Sequence, residues 1–252
     1  MQTQAISLAQ PRAFPANPCR PLSLARLGRA KQLGEFPLFE GLEPEALQDL
    51  EAFTQTRVVE KGQAIFFPDD CAGSVYFVAS GRVKISRLSV EGKEFIFDFI
   101  EPGQTFGEAG IFDGGPREAS AETMERSTLV SLPSERLRSF LAQKPAILMR
   151  FAEMLGSRQK KLEKRLVDVA HKNAPRRLAE LLVELSQSYG VRDARGTLVR
   201  IKLSQSALGN LLGVSREIVN HALSDLRRRG VIHVADGRVI IQNPEALALA
   251  AL

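Results

Sequence analysis

The stretch LSQSALGNLLGVSREIVNHALSDLRRR, Leu203 to Arg229, decides how the rest of the chain is read. It has the pattern of two short helices joined by a glycine turn. Ser204 is a good N-cap, and Ala207, Leu208, Leu211 and Leu212 follow at helical spacing until Gly213 breaks the run. Ser215 caps a second helix in which Ile218, Val219, Ala222, Leu223 and Leu226 fall on one side, the predicted buried face. The opposite side carries Arg216, Glu217, Asn220, His221 and Ser224. These types read base edges: Arg holds guanine bidentately, Glu accepts from cytosine and Asn brackets adenine, while Ser215 and the helix N-terminus favour a phosphate. In a helix-turn-helix the first residues of the second helix reach deepest into the major groove, and here they are Arg216 and Glu217. Ser204, Gln205 and Ser206 at the start of the first helix, and Arg228 at the end of the second, complete the expected DNA-contacting set. Beyond the arginines, VIHVADGRVII places two β-branched runs around Asp236-Gly237, a hairpin that reads as a wing. A helical hairpin with a solvated polar face would share the amphipathic pattern. The caps, the turn glycine, the arginines and the hairpin together point to DNA.

The 252 residues suffice for two ordinary domains, and 44% hydrophobic with 25% charged residues is the profile of a soluble globular protein. A net charge of +5 fits a polyanionic partner. Cys19 and Cys71 lie far apart with no CxxC pair, which supports neither a disulfide framework nor a cysteine-ligated zinc or cluster and suits a reducing cytoplasm. Residues 1–34 are rich in Pro, Ala and Arg without the apolar core of a secretory signal, and are expected to be a flexible tail. No later window approaches the run of about 18 apolar residues that a membrane span requires. Metal-ligand spacing, a nucleophile elbow and a phosphate-loop motif are all missing, so neither a metal nor catalytic residues nor an enzyme is expected.

Upstream of the reader, PLFEGLEPEALQDLEAF predicts a short helix with Leu42, Ala46, Leu47 and Leu50 inward. From Arg57 to about Leu132 the runs TRVVE, AIFF, SVYFVA, RVKISRL, EFIFDFI, ASAETM and STLVSL are punctuated by glycines, as in a closed antiparallel barrel or roll. One connection, FGEAGIFDGGPREASA from Phe106 to Ala121, sets Glu108 and Arg117 on either side of a glycine-rich bend. Backbone N–H groups beside an arginine form an anion cradle and a glutamate suits a ribose hydroxyl; a structural turn with a Glu–Arg pair is the alternative. From about Pro145 to Ala170, Leu148, Leu155, Leu162 and Val169 recur every seven residues, with Phe151 and Leu166 extending that face and the intervening charges of GSRQKKLEKRLVD directed to solvent. Heptad spacing predicts self-dimerisation, which would present paired reading helices to successive major grooves; packing on its own roll is the alternative. HKNAP marks a hinge, Pro175 starts a supporting helix, and Leu198 to Lys202 reads as a short strand. The expected fold is α+β: a β-roll over 35–143, a dimerisation helix and hinge over 144–172, and a winged helix-turn-helix over 173–252.

This layout, over about 35–243, resembles the Crp/Fnr family of bacterial transcription regulators. Gly107-Glu108 and Pro116-Arg117 fall where that family's phosphate-binding cassette lies, and GVSREIV at 213–219 looks like the signature of its recognition helix. The resemblance implies a homodimer, a roll that binds or once bound a cyclic nucleotide, a palindromic double-stranded DNA target, and RNA polymerase as a partner if the protein is an activator. It also implies a candidate effector pocket of Gly107, Glu108, Arg117, Glu118, Ala119, Leu162 and Glu163. Two departures bear on the effector. Glu118 stands where cyclic-AMP-responsive members carry Ser or Thr, and a carboxylate beside a phosphate costs on the order of a kcal/mol. Leu162 and Glu163 replace the Thr and Ser that recognise adenine from the dimer helix. Cyclic AMP is therefore disfavoured, leaving a ligand-independent dimer or a different effector such as a cyclic dinucleotide. An Fnr-type iron–sulfur cluster lacks cysteines, and His171, His221 and His233 lie outside the roll, so haem there has no histidine ligand. Arg216 and Glu217 match the family's readers of a GTG-type half-site, while His221 replaces a second base-reading arginine of many members. The other function considered is a nucleotide-binding module acting through a protein partner; against it, a protein-docking helix more often exposes an apolar stripe than the polar face from Arg216 to Ser224.

Overall fold

The computed structural model of the protein describes residues 33–235 and 237–252. Most of the expected tail lies outside this range, but its last two residues do not behave as tail: Leu33 is buried, and its backbone N–H donates to the Glu51 carboxylate. Two 3-10 turns, Leu33–Glu35 and Pro37–Phe39, bring Phe36 and Phe39 within 5.2 and 5.4 Å of the Phe77 ring. Helix α1, Pro44–Glu51, starts on a proline whose missing N–H costs nothing there, and buries Leu50.

The roll comprises β1 (Gln55–Val59), β2 (Ala64–Phe66), β3 (Ser74–Ser80), β4 (Val83–Leu88), β5 (Glu94–Ile100), β6 (Thr105–Phe106), β7 (Ser120–Thr123) and β8 (Ser127–Pro133), with α2 (Gly110–Asp113) between β6 and β7. They form two antiparallel sheets, ordered β1-β8-β3-β6 and β2-β7-β4-β5. Each apolar run expected to be a strand is one. Strand β6 is too short to carry a readable alternation, and helix α3, Ser134–Gln143, which buries Leu137 and Leu141 against the roll, was not anticipated either.

Helix α4 spans Pro145–His171 and has two halves with different partners. In the first half Ile147 and Phe151 are buried in the roll's own core, with Met154 and Leu155 packed against it. This corrects the expected dimer face: Phe151 is 1% exposed and cannot meet a second chain, and Leu155 is partly used at home. The heptad seam and the roll-facing stripe run side by side there, so periodicity alone could not separate them.

The C-terminal domain begins with α5, Ala174–Tyr189, capped by Asn173, whose side-chain oxygen accepts from the Arg176 N–H at 3.0 Å. The strand expected over 198–202 sits earlier: β9 (Gly190–Asp193) and β10 (Gly196–Val199) form a hairpin. After α6 (Gln205–Leu212) and α7 (Arg216–Arg228), the wing strands β11 (Ile232–Ala235) and β12 (Arg238–Ile241) extend that hairpin into a sheet ordered β11-β12-β10-β9, and α8 (Pro244–Ala250) covers α5. Asp236, at the expected turn, lies outside the described residues. The core joins Leu178, Leu182, Leu208, Val219 and Leu223 to two residues of the roll, Ile96 and Phe99 on β5. Glu94, at the start of β5, pairs with Lys84 at 2.6 Å and accepts from the Asn210 side chain of α6 at 2.7 Å, so the reader docks on its own roll.

Ion pairs tie α4 to α5: Lys164 lies 3.0 Å from Glu180 and 2.9 Å from Glu184, and Lys172 lies 2.6 Å from Glu180. Burial alone would raise the Glu180 carboxyl, but hydrogen bonds from Lys172 and Lys164 outweigh it and hold the group below its ordinary 4.5. A carboxyl that binds its proton less tightly folded than unfolded contributes fully above its unfolded value and loses that contribution as pH falls through the folded one. Glu180→Gln is therefore expected to flatten the drop in urea midpoint between about pH 5 and pH 3. A wild-type profile in the variant would show that neither lysine bond matters in solution.

Candidate functional site: a nucleic-acid interface and an internal cavity

Both helices of the reader are capped as their sequences require: Ser204 Oγ accepts from the Ala207 N–H at 3.0 Å, and Ser215 Oγ from the Ile218 N–H at 3.4 Å. Between them Gly213 is left-handed, φ 65°, and a Cβ there would lie 3.3 Å from the Phe95 ring of β5. Only glycine adopts that conformation freely, so this one position fixes both the interhelical turn and the seating of the reader on the roll.

Helix α7 buries Val219, Ala222, Leu223 and Leu226. Ile218, expected with them, is 44% exposed, because one residue's rotation of about 100° places it at the edge of the apolar stripe. Arg216, Glu217, Asn220, His221 and Ser224 are all exposed on the other side. Gln205 donates to the Asn220 side-chain oxygen at 3.1 Å, bracing α6 against α7 through two of the expected DNA contacts. Ser206 is exposed, and Ser204, though spent as an acceptor, keeps a hydroxyl proton for a phosphate, whereas the Ser215 hydroxyl donates to the Glu217 carboxylate. The Glu217 carboxyl is held below its ordinary range, first by its own backbone N–H and then by the Ser215 hydroxyl. It is thus an ionised acceptor, as pairing with a cytosine amine needs. Arg228, expected at a phosphate, is exposed and pairs with Asp225 at 2.6 Å, one turn back. A shallow niche of about 380 Å³ beside it is lined by Ser224, Arg227, Arg228, Ile232, His233 and Gln242. Its wing residues had been legible only as parts of a hairpin.

The roll and α4 together form a partly open cavity of about 210 Å³, and its lining includes Gly107, Glu108, Arg117, Glu118, Ala119 and Leu162. Glu163 is not part of it. One position along the helix turns its side chain away, where it accepts from Gln159 at 2.8 Å. The walls are largely apolar, with Phe66, Ile85, Ile100 and Phe106, and α4 adds Arg158, Lys161 and Arg165. Arg117 is buried, its guanidinium 4.3 Å from the Phe66 ring centre, and its terminal nitrogens donate to the backbone carbonyls of Gly107 and Ser74. Gly107, φ 77°, permits that contact: a Cβ would lie 2.8 Å from the guanidinium. Glu108 is ion-paired with Arg158, which also donates to the Thr105 carbonyl, while Arg165 donates to the Phe97 carbonyl. Arg158 and Arg165 are partly buried on the roll, so they are not the solvent-facing charges their sequence context suggests. The groups that a cyclic nucleotide would need already serve the fold. A phosphate drawing Arg117 away would strip donors from the Gly107 and Ser74 carbonyls, and the exposed Glu118 adds a carboxylate to the same lining, so the residues present fit it poorly.

A roll with this cassette, a long helix and a winged reader define a DNA-binding regulator. The cyclic nucleotide-binding domain family matches residues 56–144, and the Crp-like helix-turn-helix domain family matches residues 176–250. The chain is 34% identical over 211 residues to the CRP-like cAMP-activated global transcriptional regulator of Mycobacterium tuberculosis, covering 84% of this chain and 94% of that relative. It is 30% identical over 196 residues to the global nitrogen regulator of Synechococcus elongatus, covering 77% and 88%. The solved structure of the c-di-GMP responsive global regulator CLP of Xanthomonas campestris superposes with a TM-score of 0.71 at 25% identity, over 79% of this chain and 99% of that one. The protein belongs to the Crp/Fnr family of bacterial transcription regulators. Among the described residues no helix is long and apolar enough to cross a membrane, and no cluster of His, Cys, Asp and Glu could hold a metal ion.

Proposed function

We propose that the protein acts as a cytoplasmic homodimer that reads a palindromic operator without gating by cyclic AMP. The observation that carries specific reading is the fully exposed polar face of α7, with Arg216 and Glu217 at its leading end and the apolar face buried beneath. The dimer reading is supported by the second half of α4, which holds the roll through Arg158 and Arg165 yet leaves Leu162, Leu166 and Val169 exposed. Two copies joined there would offer paired reading helices to half-sites one helical turn apart. RNA polymerase is the further partner if the protein activates.

The ungated reading is supported by the engaged Arg117 and Glu108, by Glu118, and by a cavity smaller than the roughly 300–1,000 Å³ common for small-molecule sites. The second reading is gating by a cyclic nucleotide, favoured by the likeness to a cAMP-activated regulator; likeness to a c-di-GMP responsive one favours a cyclic dinucleotide. One experiment separates them. Duplexes selected by the protein from a random pool are titrated by fluorescence anisotropy, against scrambled controls, with and without cyclic AMP or cyclic di-GMP. The expected result is preference for the selected duplex, falling with salt and unchanged by cyclic AMP. Equal affinity for both duplexes would end the specificity reading, and a tenfold tightening by either nucleotide would replace the ungated one.

A further inference from the structure

We propose that the niche between the C-terminal half of α7 and wing strand β11 seats a phosphodiester of the DNA backbone, with Arg227 as its cation and His233 as a second donor. The inference rests on the DNA-binding reading and adds a contact that the base-reading face does not supply. Ser224, on that face, also lines the niche, which places the site along the same helix as Glu217 and about 10 Å further on. A helix whose first turn enters the major groove meets the flanking backbone with its later turns.

The chemistry of the lining is one-sided. Ser224, Arg227, Arg228, His233 and Gln242 bring donors, and no carboxylate is among them. Asp225, next to Ser224 on the same helix, is occupied by Arg228 at 2.6 Å and Arg229 at 3.5 Å. The hydrogen bond from Arg228, foremost, holds its carboxyl below the ordinary range. Of these three consecutive arginines, Arg227 is the one with no ion pair among the described residues, so its movement to a phosphate breaks nothing. On β11 the inward residue is Ile232, and His233, next in the alternation, is exposed and pairs across the ladder with Ile240. His233 from the wing and Arg227 from the helix thus line one niche and can donate to the same phosphate.

The test uses the full chain and a duplex selected by the wild type, titrated over a range of potassium chloride concentrations. Arg227→Ala should weaken selected and scrambled duplexes by the same factor and make the salt slope shallower by about one. Arg229→Ala, which touches Asp225 but lies outside the niche, should leave the slope unchanged. His233→Ala should weaken selected and scrambled duplexes by the same factor, and by less than Arg227→Ala does. A matched thermal midpoint checks that each variant is folded. If the wild type shows no preference for its selected duplex, the DNA reading itself fails. If it does, and Arg227→Ala keeps the wild-type slope, the niche is not a backbone seat. Two further outcomes overturn the assignment: stabilisation of the wild type but not Arg227→Ala by inorganic phosphate, with DNA affinity unmoved, or loss of transcription with DNA binding intact, which would mark a protein-docking site.

Discussion

Leu166→Glu combined with Val169→Glu is expected to convert the proposed dimer to monomers and to cut affinity for a two-half-site operator by about 10²–10⁴-fold, the loss that follows when linked binding becomes two separate events. Leu166 is 71% and Val169 57% exposed in the single chain, so neither contributes to the roll's core, and their replacement should leave the fold intact. In a symmetric pair each apolar side chain would gain about 1.5–3 kcal/mol by burial. A glutamate there loses that gain and faces its own symmetry mate across the two-fold axis, adding like-charge repulsion. Light scattering after gel filtration reads the mass, and anisotropy with whole and half operators reads the affinity. The variant should bind a half-site as the wild-type subunit does and lose only the advantage of the second half. A persistent dimer, or an unchanged preference for the whole operator, would move the two-fold contact away from this half of α4.

The reader was legible because its determinants are local. Ser204 and Ser215 cap within three residues of themselves, and Gly213 supplies a left-handed turn, so no distant partner is needed to recognise them. The strands of the roll were legible for a similar reason, each being a short apolar run closed by a turn. What failed were particular assignments that depend on which neighbour a face meets. Phe151 and Leu166 share one heptad pattern, yet one is sealed in its own roll and the other is exposed. Arg158 and Arg165 look like surface charge until α4 lies along the cassette, where they hold Glu108 and the Phe97 carbonyl. Arg117 sits where an anion cradle requires it, but its position along the chain does not reveal that Gly107 and Ser74 already take its donors. Ile218 shows the same limit on a smaller scale: the apolar stripe of α7 was correct, and its width was not.

Arg216→Ala should cost about 1–3 kcal/mol against the preferred base pair and almost nothing against the others, collapsing discrimination at one position in each half-site. Arg216 is the first residue of α7, exposed, with Ser215 fixing the helix start beneath it and the ionised Glu217 next to it. A guanidinium there can span two acceptors on one guanine edge, which an ammonium cannot, so Arg216→Lys should recover charge and salt dependence without recovering selectivity. On the proposed reading Glu217 would supply the complementary half, since a carboxylate accepts from cytosine and repels the acceptor-rich edge of guanine. Competition between the selected duplex and its single-base variants measures the effect, and symmetry requires it at both half-sites of a palindrome. Uniform weakening across all variants would make Arg216 a backbone contact and leave base reading to Glu217, Asn220 and His221. Selectivity retained in Arg216→Lys would reduce its role to charge, because geometry is the only thing that substitution removes.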